Sequence, residues 1–157
     1  MHTLADTRTW RHSRISITTR QATQFADLTG QVDALVADAG LRTGLVHVQS
    51  LHTTTAIVVN EHEPLLLADF AALLEAVAPL DAPYRHDDMS VRTVNLAPGE
   101  RSNGHAHCRA VLLGSSVSLN VAEGRLQLGR WQRLFLVELD GPQAREVSVL
   151  LFGEGTR

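Results

Sequence analysis

Alternating apolar and polar residues predict several strands in the first third of the chain. Between residues 13 and 19, Ile15 and Ile17 alternate with polar residues, which is the period-two pattern of a half-buried strand. Residues 24–28 form a second, short candidate strand. Residues 44–50 place apolar side chains between polar ones and predict a third.

The segment from Leu51 to Glu61 is rich in β-forming residues. Threonine, isoleucine and valine fill most of it, and their branched side chains suit a pleated strand. His52 stands near its start, and Asn60 and Glu61 stand at its end. We predict a buried strand that pairs with the strand before it. The polar residues at its ends are either site residues or surface residues that flank a core strand.

Three segments carry the helical spacing of apolar residues. Each is bounded by residues that favour the beginning or the end of a helix: Thr29 and Gly40, Pro64 and Pro79, and Asn103 and Gly114. We expect Thr29 and Asn103 to be N-caps. Between the second and third helices, residues 81–104 lack a clear period, and long irregular loops in compact domains are usually functional or disordered.

Four strands are predicted after the third helix, in the order of a meander: 116–121, 125–128, 131–139 and 144–152. We therefore predict an α+β fold with a mixed, mainly antiparallel β-sheet and about three helices. Residues 1–12 are predicted to be a flexible N-terminal arm, and residues 13–157 a single domain.

Composition is typical of one ordinary domain and excludes several classes of protein. The 157 residues are 44% hydrophobic and 20% charged, which is enough to build a core. The net charge of −3 argues against nucleic-acid binding, because no basic excess exists to neutralise phosphates. No apolar run approaches the roughly 20 residues of a membrane span, and the polar N-terminus lacks the apolar centre of a signal peptide. We expect a cytoplasmic protein without membrane partners.

The third helix carries two residues whose chemistry could matter. Cys108 is the only cysteine, so no disulfide can form within the chain, and we expect a small buried side chain. Helical spacing places His107 on the face of Ala110 and Val111, so we expect it to point inward. An inward histidine is more often a hydrogen-bonded core residue than a ligand.

Three groups combine histidine with acids or amides: His52 with Asn60 and Glu61, His86 with Asp87 and Asp88, and Asn103 with His105 and His107. A fourth group of candidates, Glu138, Asp140 and Arg145, flanks the last predicted hairpin. None has the spacing of a compact metal motif such as His-Glu-x-x-His. The acidic pair at 87–88 could hold a divalent ion, although a solvated acidic turn is the commoner outcome. From residue types alone, the sequence predicts a pocket of His, Asp, Glu and Asn side chains.

Residues 52–61, His-Thr-Thr-Thr-Ala-Ile-Val-Val-Asn-Glu, resemble the HTTAAI-x-x-NE motif of the YjbQ family, whose members are described as secondary thiamine-phosphate synthases. Further similarities follow in chain order: Asp69, Tyr84-x-His86-x-Asp88, Asn103-x-x-Ala106-His107, Gly114-Ser115-Ser116, Gly124 to Gln132, and Glu138-x-Asp140-Gly141-Pro142-x-x-Arg145. The resemblance covers roughly residues 13–153. It leaves out His47, His105 and Arg130, to which we assign no role.

The resemblance implies a YjbQ-like α+β fold, a homotrimer with its pocket near a subunit interface, and a divalent metal ion, Mg or Zn. It also implies a transferase that joins an aminopyrimidine diphosphate to thiazole phosphate and releases pyrophosphate. It makes His52, His86 and His107 catalytic, makes His52, His86, Asp88 and His107 metal ligands, and assigns substrate binding to Asn60, Glu61, Asn103, Trp131 and Arg145. Plain core packing is the alternative for Trp131.

Two other functions remain open beside the transferase. One is a metal-dependent hydrolase of a small phosphorylated or cyclic metabolite, in which a metal-bound water is the nucleophile. The other is a non-catalytic trimeric protein that binds a small anionic metabolite.

One detail of the site is hard to reconcile with a single pocket. Asn60 and Glu61 lie at the far end of a strand about 25 Å long, so we expect them far from His52 unless a bend or a second subunit intervenes.

Overall fold

The structure is a computed structural model that describes residues 7–155. Its regular elements in chain order are β1 (Thr7–Thr18), β2 (Gln24–Asp27), α1 (Thr29–Asp38), β3 (Leu41–Ser50), β4 (Thr55–Glu61), α2 (Pro64–Val77), α3 (Gly104–Leu113), β5 (Ser116–Ala122), β6 (Arg125–Leu126), β7 (Gln132–Glu138) and β8 (Ala144–Gly155). A single 3₁₀ turn, Arg85–Asp87, interrupts the long loop between α2 and α3.

The strands form two antiparallel sheets. The larger has the order β1-β8-β3-β5-β6, and the smaller has the order β2-β7-β4. Apolar residues of both sheets, among them Val48 and Val149 from the larger and Ile57 and Leu136 from the smaller, share one buried cluster. The other face of the smaller sheet packs against α3 through Ala56, with Ala106, Ala110 and Phe135 in a second cluster. The predicted α+β class, with three helices and antiparallel strands, is confirmed.

The predicted pairing of β3 with β4 is wrong, because the two strands belong to different sheets. β3 lies between β8 and β5, whereas β4 pairs with β7. The chain changes sheets at residues 51–54, which leaves β4 covered by apolar residues on both faces. The predicted meander fails for the same reason, since β7 joins the smaller sheet and β8 returns to the larger one.

The first strand begins earlier than the sequence pattern indicated. β1 pairs with β8 over its whole length, from Thr7 opposite Gly155 to Thr18 opposite Ala144. The ring of Trp10 packs on Phe152, with 4.2 Å between centroids. Residues 7–12 are therefore sheet and not part of a flexible arm, while residues 1–6 of that arm lie outside the described residues.

The side chains that accept from the first N–H groups of α1 and α3 are not the predicted caps. Thr29 does not cap α1: its hydroxyl accepts from the Leu134 N–H at 2.9 Å, and Asp27 accepts from the Thr29 N–H at 2.8 Å. Asp87, and not the predicted Asn103 side chain, accepts from the first free N–H groups of α3. Within residues 7–155, no helix has both the length and the apolarity needed to cross a membrane.

The packed face of α3 differs from the one predicted. Residues 104–106, 109 and 110 are buried, whereas Cys108 is exposed on the opposite side. Val111 is also exposed. His107 is half-buried at the edge of the packed face, which leaves its imidazole open to the surface pockets described below.

Candidate functional site

Two pockets of about 730 and 710 Å³ lie side by side where α3, the 3₁₀ turn and the β3–β4 link meet. The first includes His86, Arg92, Glu100, Asn103 and Asp140 in its lining. The second contains His52 and the apolar side chains of Leu51, Ala110 and Val111. Thr53 and His107 line both pockets, so they mark the boundary between them.

His86 and His107 form the centre of the site. Their ring centroids are 4.6 Å apart and the rings are steeply inclined, at 65°. His86 is held by the 3₁₀ turn, and His107 lies in the first turn of α3. Burial lowers the pKa of His107, and the neighbouring His86 lowers it further. His107 is therefore a neutral imidazole near pH 7, able to accept a proton.

His52 lies in the second pocket, separated from His86 by the shared boundary. Its Nε2 accepts a hydrogen bond from the Glu146 N–H at 2.8 Å. A neutral His52 with this bond carries its proton on Nδ1. Burial lowers the pKa of His52, and the nearby Arg145 adds to this effect. Two of the three predicted histidines thus meet, and the third lies on the far side of His107.

A polar network positions Asn103 in the first pocket. The Asn103 Nδ2 donates to Asp140 Oδ2 over a long 3.4 Å, and the Gln143 Nε2 donates to the same oxygen at 3.0 Å. Asp140 also lies 3.3 Å from the guanidinium of Arg101. The predicted role of Asn103 at the site therefore has a geometric basis, which Asp140 and Gln143 provide.

The loop between α2 and α3 supplies a second fixed group, Arg92 with Glu100. The Arg92 Nη1 donates to Glu100 Oε1 at 2.7 Å, and other guanidinium nitrogens donate to the carbonyls of Val94 and Asn95. Hydrogen bonds from Arg92 and from the Ala97 N–H lower the pKa of Glu100. Sequence patterns missed both residues, although the length of this irregular loop indicated a functional segment.

Arg145 does not reach either pocket, so its predicted phosphate contact is wrong. It is buried and makes two bonds of 2.6 Å to the carboxylate of Glu138, together with one of 3.1 Å to the Thr54 hydroxyl. Burial alone would raise the pKa of Glu138, but bonds from Arg145, Thr19 and backbone N–H groups outweigh it and lower the pKa. Arg145 supports the pocket wall from behind through Thr54.

Asn60, Glu61 and Trp131 belong to a different part of the molecule. They line a separate cleft of about 340 Å³ at the other end of β4, with Gly129, Arg130 and Gln132. Trp131 is 61% exposed, so it is not a core residue, and Arg130 lies 4.7 Å above its ring. Asn60 and Glu61 lie away from the histidine pockets, as the length of an extended β4 led us to expect, and Trp131 lies with them.

The four predicted metal ligands do not converge. Asp88 is exposed, and its Oδ1 accepts from both the N–H and the hydroxyl of Ser90. The Nε2 of His52 is occupied by the Glu146 N–H. Across residues 7–155, no three His, Cys, Asp or Glu side chains are arranged to hold a metal ion. The described residues are therefore not arranged around the ion that the resemblance implied.

Comparison with known proteins identifies the family. A family model described as "UPF0047 protein YjbQ-like" matches residues 13–154. The chain belongs to this family. A UPF0047 protein of Methanothermobacter thermautotrophicus is 36% identical over 140 residues, covering 89% of this chain and 90% of its own length. One from Archaeoglobus fulgidus is 39% identical over 135 residues, covering 86% and 96%.

Solved structures of the YjbQ-like family share the fold. A YbjQ-like protein of unknown function from Sulfolobus solfataricus aligns with a TM-score of 0.84 at 32% identity, over 94% of this chain and all of its own. A YjbQ/UPF0047 protein from Clostridium acetobutylicum aligns with a TM-score of 0.78 at 33% identity, over 88% and 98%.

The predicted thiamine-phosphate synthase activity is wrong on these comparisons. The relatives carry only the family description, and the Sulfolobus protein is described as having unknown function. The site agrees with this correction. Arg145, the expected phosphate donor, is buried in an ion pair, and the N-terminus of α3, a common phosphate site, is already bonded to Asp87.

Proposed function

We propose that this protein is an enzyme that binds a small polar molecule across the two joined pockets and uses His107 as a general base. One observation carries the proposal: His107 is the histidine that lines both pockets. A molecule that extends from one pocket into the other must pass its imidazole. The two volumes, each about 700 Å³, are within the range of small-molecule sites.

The electrostatics of His107 suit proton transfer. Its pKa lies below the ordinary histidine value of 6.5, mainly because of burial. The neutral ring is thus the dominant form at pH 7, and a neutral imidazole is the form that can accept a proton from a bound molecule. The ring centroid of His86 is 4.6 Å away, and this neighbouring imidazole also lowers the pKa of His107.

The proposal is tested by a turnover screen of purified protein against panels of small polar metabolites, followed by His107→Ala on every hit. We expect kcat to fall by about 10²–10⁴-fold, the usual contribution of a general base. His47→Ala is the matched control, because His47 is bonded to Ser118 and lines neither pocket. Turnover that survives His107→Ala, or a panel that yields no turnover, contradicts the proposal.

We also propose that copies of the chain associate, as the resemblance to a homotrimeric family implied. Apolar side chains beside the second pocket support this: Val111 is 81% exposed and Leu112 62% exposed, on the outer face of α3. Exposed apolar patches of this kind are typical of protein interfaces. A neighbouring copy at this face would close the second pocket from the outside.

Val111→Glu is expected to lower the molecular mass in solution, because a carboxylate in an apolar interface is costly to desolvate. The measurement is sedimentation velocity at matched concentrations. Leu96→Glu is the control, since Leu96 is 51% exposed in the long loop and lines neither pocket. A wild-type protein that sediments as a monomer would contradict the proposed self-association.

Other expectations remain predictions. A cytoplasmic location and a divalent metal ion follow only from the sequence and the resemblance. The phosphorylated ligand expected from the resemblance has the least support, since the groups that line the first pocket suit a different chemistry.

A further inference from the structure

We infer that the first pocket recognises an uncharged ligand edge that presents one hydrogen-bond acceptor beside one donor, as a lactam, a carboxamide or a ureide does. The acceptor would meet His86 Nε2 and the donor would meet Asn103 Oδ1. This inference rests on the proposed function and names the class of molecule that the site takes. It arises from two polar atoms that the described residues leave without a partner.

Those two atoms are buried and unpaired. Within residues 7–155, His86 Nε2 and Asn103 Oδ1 are the buried side-chain polar atoms that make no hydrogen bond. Both residues line the first pocket. A buried polar atom without a partner costs about 1–3 kcal/mol, so a native protein that keeps two in one pocket is expected to satisfy them when a ligand binds.

The polarity of Asn103 follows from its neighbour. Its other amide atom, Nδ2, faces Asp140 Oδ2, which also accepts from Gln143. A carboxylate oxygen can only accept, so the nitrogen must be the atom turned toward it. The carbonyl oxygen of Asn103 is therefore the free group, and it requires a donor from the ligand.

The polarity of His86 follows in the same way. Its Nε2 lies 3.7 Å from Glu100 Oε1, which is too far for a hydrogen bond but close enough for attraction. A negative carboxylate at this distance favours the tautomer with the proton on Nε2. Because Glu100 Oε1 already accepts from Arg92 at 2.7 Å, the His86 N–H is free to donate. It requires an acceptor from the ligand.

The charges around the pocket disfavour a phosphate. Arg92 is paired with Glu100, and Asp140 with Arg101, so these charges cancel. The first N–H groups of α3 are taken by the Asp87 carboxylate, which would repel an anion. Arg85 alone among the lining cations has no acidic partner within residues 7–155, and it is exposed at the rim. An uncharged ligand is neither repelled by the Asp87 carboxylate nor in need of an unpaired cation.

Three small probes test the inference on the full-length, isotope-labelled protein. The first is 2-pyrrolidinone, which carries a donor beside an acceptor. The second is N-methyl-2-pyrrolidinone, which lacks the donor, and the third is inorganic phosphate. Each is titrated to about 100 mM while NMR follows the His86, His107 and Asn103 side chains, because fragments of this size are expected to bind in the millimolar range.

We expect 2-pyrrolidinone to shift these resonances and to bind about fivefold or more tightly than its N-methyl analogue, since one hydrogen bond separates them. Asn103→Leu should remove that preference, while Asn120→Leu, at an exposed position on β5, should keep it. The comparison of the two lactams on the wild-type protein does not depend on any variant folding. Equal affinities, no binding of either lactam, or tighter binding of phosphate at the same resonances would overturn the inference.

Failure here is distinguishable from failure of the proposed function. If a turnover substrate depends on His107 but the lactams do not discriminate, the acid–base proposal stands and the recognition chemistry is wrong. If the protein binds 2-pyrrolidinone more tightly than its N-methyl analogue but no turnover is found, the recognition chemistry stands and the proposed enzymatic function is wrong.

Discussion

Arg145→Met is expected to lower the free energy of unfolding by about 3–5 kcal/mol, the usual cost of removing one partner from a buried ion pair. Glu138 is fully buried, and Arg145 satisfies both of its oxygens. Methionine fills much of the arginine volume but supplies no donor, so the carboxylate would remain charged in an apolar interior. Urea denaturation at pH 7, followed by circular dichroism, measures the difference.

A double variant separates the cost of the unpaired charge from the cost of the changed side-chain volume. Arg145→Met combined with Glu138→Leu removes both charges, and replacing a buried pair by apolar residues is often nearly neutral. We expect the double variant to be more stable than Arg145→Met alone, although Thr19 and the N–H groups of Asp140 and Gly141 lose their acceptor. A double variant less stable than the single one would show that these bonds matter more than the ion pair.

The contribution of the Glu138 carboxylate to stability should also depend on pH. The pKa of Glu138 is lowered in the folded protein, so its stabilising contribution is present above the unfolded value of 4.5 and is lost as pH falls through the lower folded value. In Arg145→Met, the bonds from Arg145 that lower the pKa of Glu138 are lost while its burial remains, so Glu138 is more easily protonated. The stability gap between wild type and variant is therefore expected to narrow below about pH 4. A gap that stays constant down to pH 3 would contradict this account.

The sequence predicted local structure well and long-range pairing poorly. Apolar spacing located every helix, and the Pro64 start of α2 is confirmed. It could not tell that β4 pairs with β7, more than 70 positions away, because β-propensity describes a pleated surface and not its neighbour. Residues 7–12 are mostly polar but belong to β1, because their backbone pairs with β8. The pattern of side chains does not predict such backbone pairing.

The candidate site was also predicted only in part, because its geometry depends on contacts between distant segments. Motif order placed His86 and His107 together, and the structure brings their rings to 4.6 Å. Arg145 was assigned to a ligand by the family resemblance, and its place beside Glu138 in one motif did not reveal that the two are a buried ion pair. Asp87 holds the start of α3 from 16 residues upstream, which no local capping rule anticipates.

The other large effect is expected from a glycine whose importance appears only in the sheet. Gly44 on β3 lies directly opposite Gly153 on β8. A β-carbon added at Gly44 would lie 2.1 Å from the Phe152 carbonyl oxygen and 2.8 Å from the Gly153 Cα. Both are backbone atoms of a central strand, so neither can move without disturbing the ladder. Glycine at this position permits the close approach of two backbones.

Gly44→Ala is therefore expected to destabilise the protein by about 3 kcal/mol or more, because the clash must be relieved by moving a strand. Thermal unfolding and urea denaturation check the loss. Gly30→Ala is the matched control: a β-carbon there has no atom within 4 Å, and alanine is favoured over glycine in a helix such as α1. We expect that variant to be as stable as the wild type or slightly more so. If both alanines behave alike, the close approach of β3 and β8 at Gly44 does not constrain the sheet.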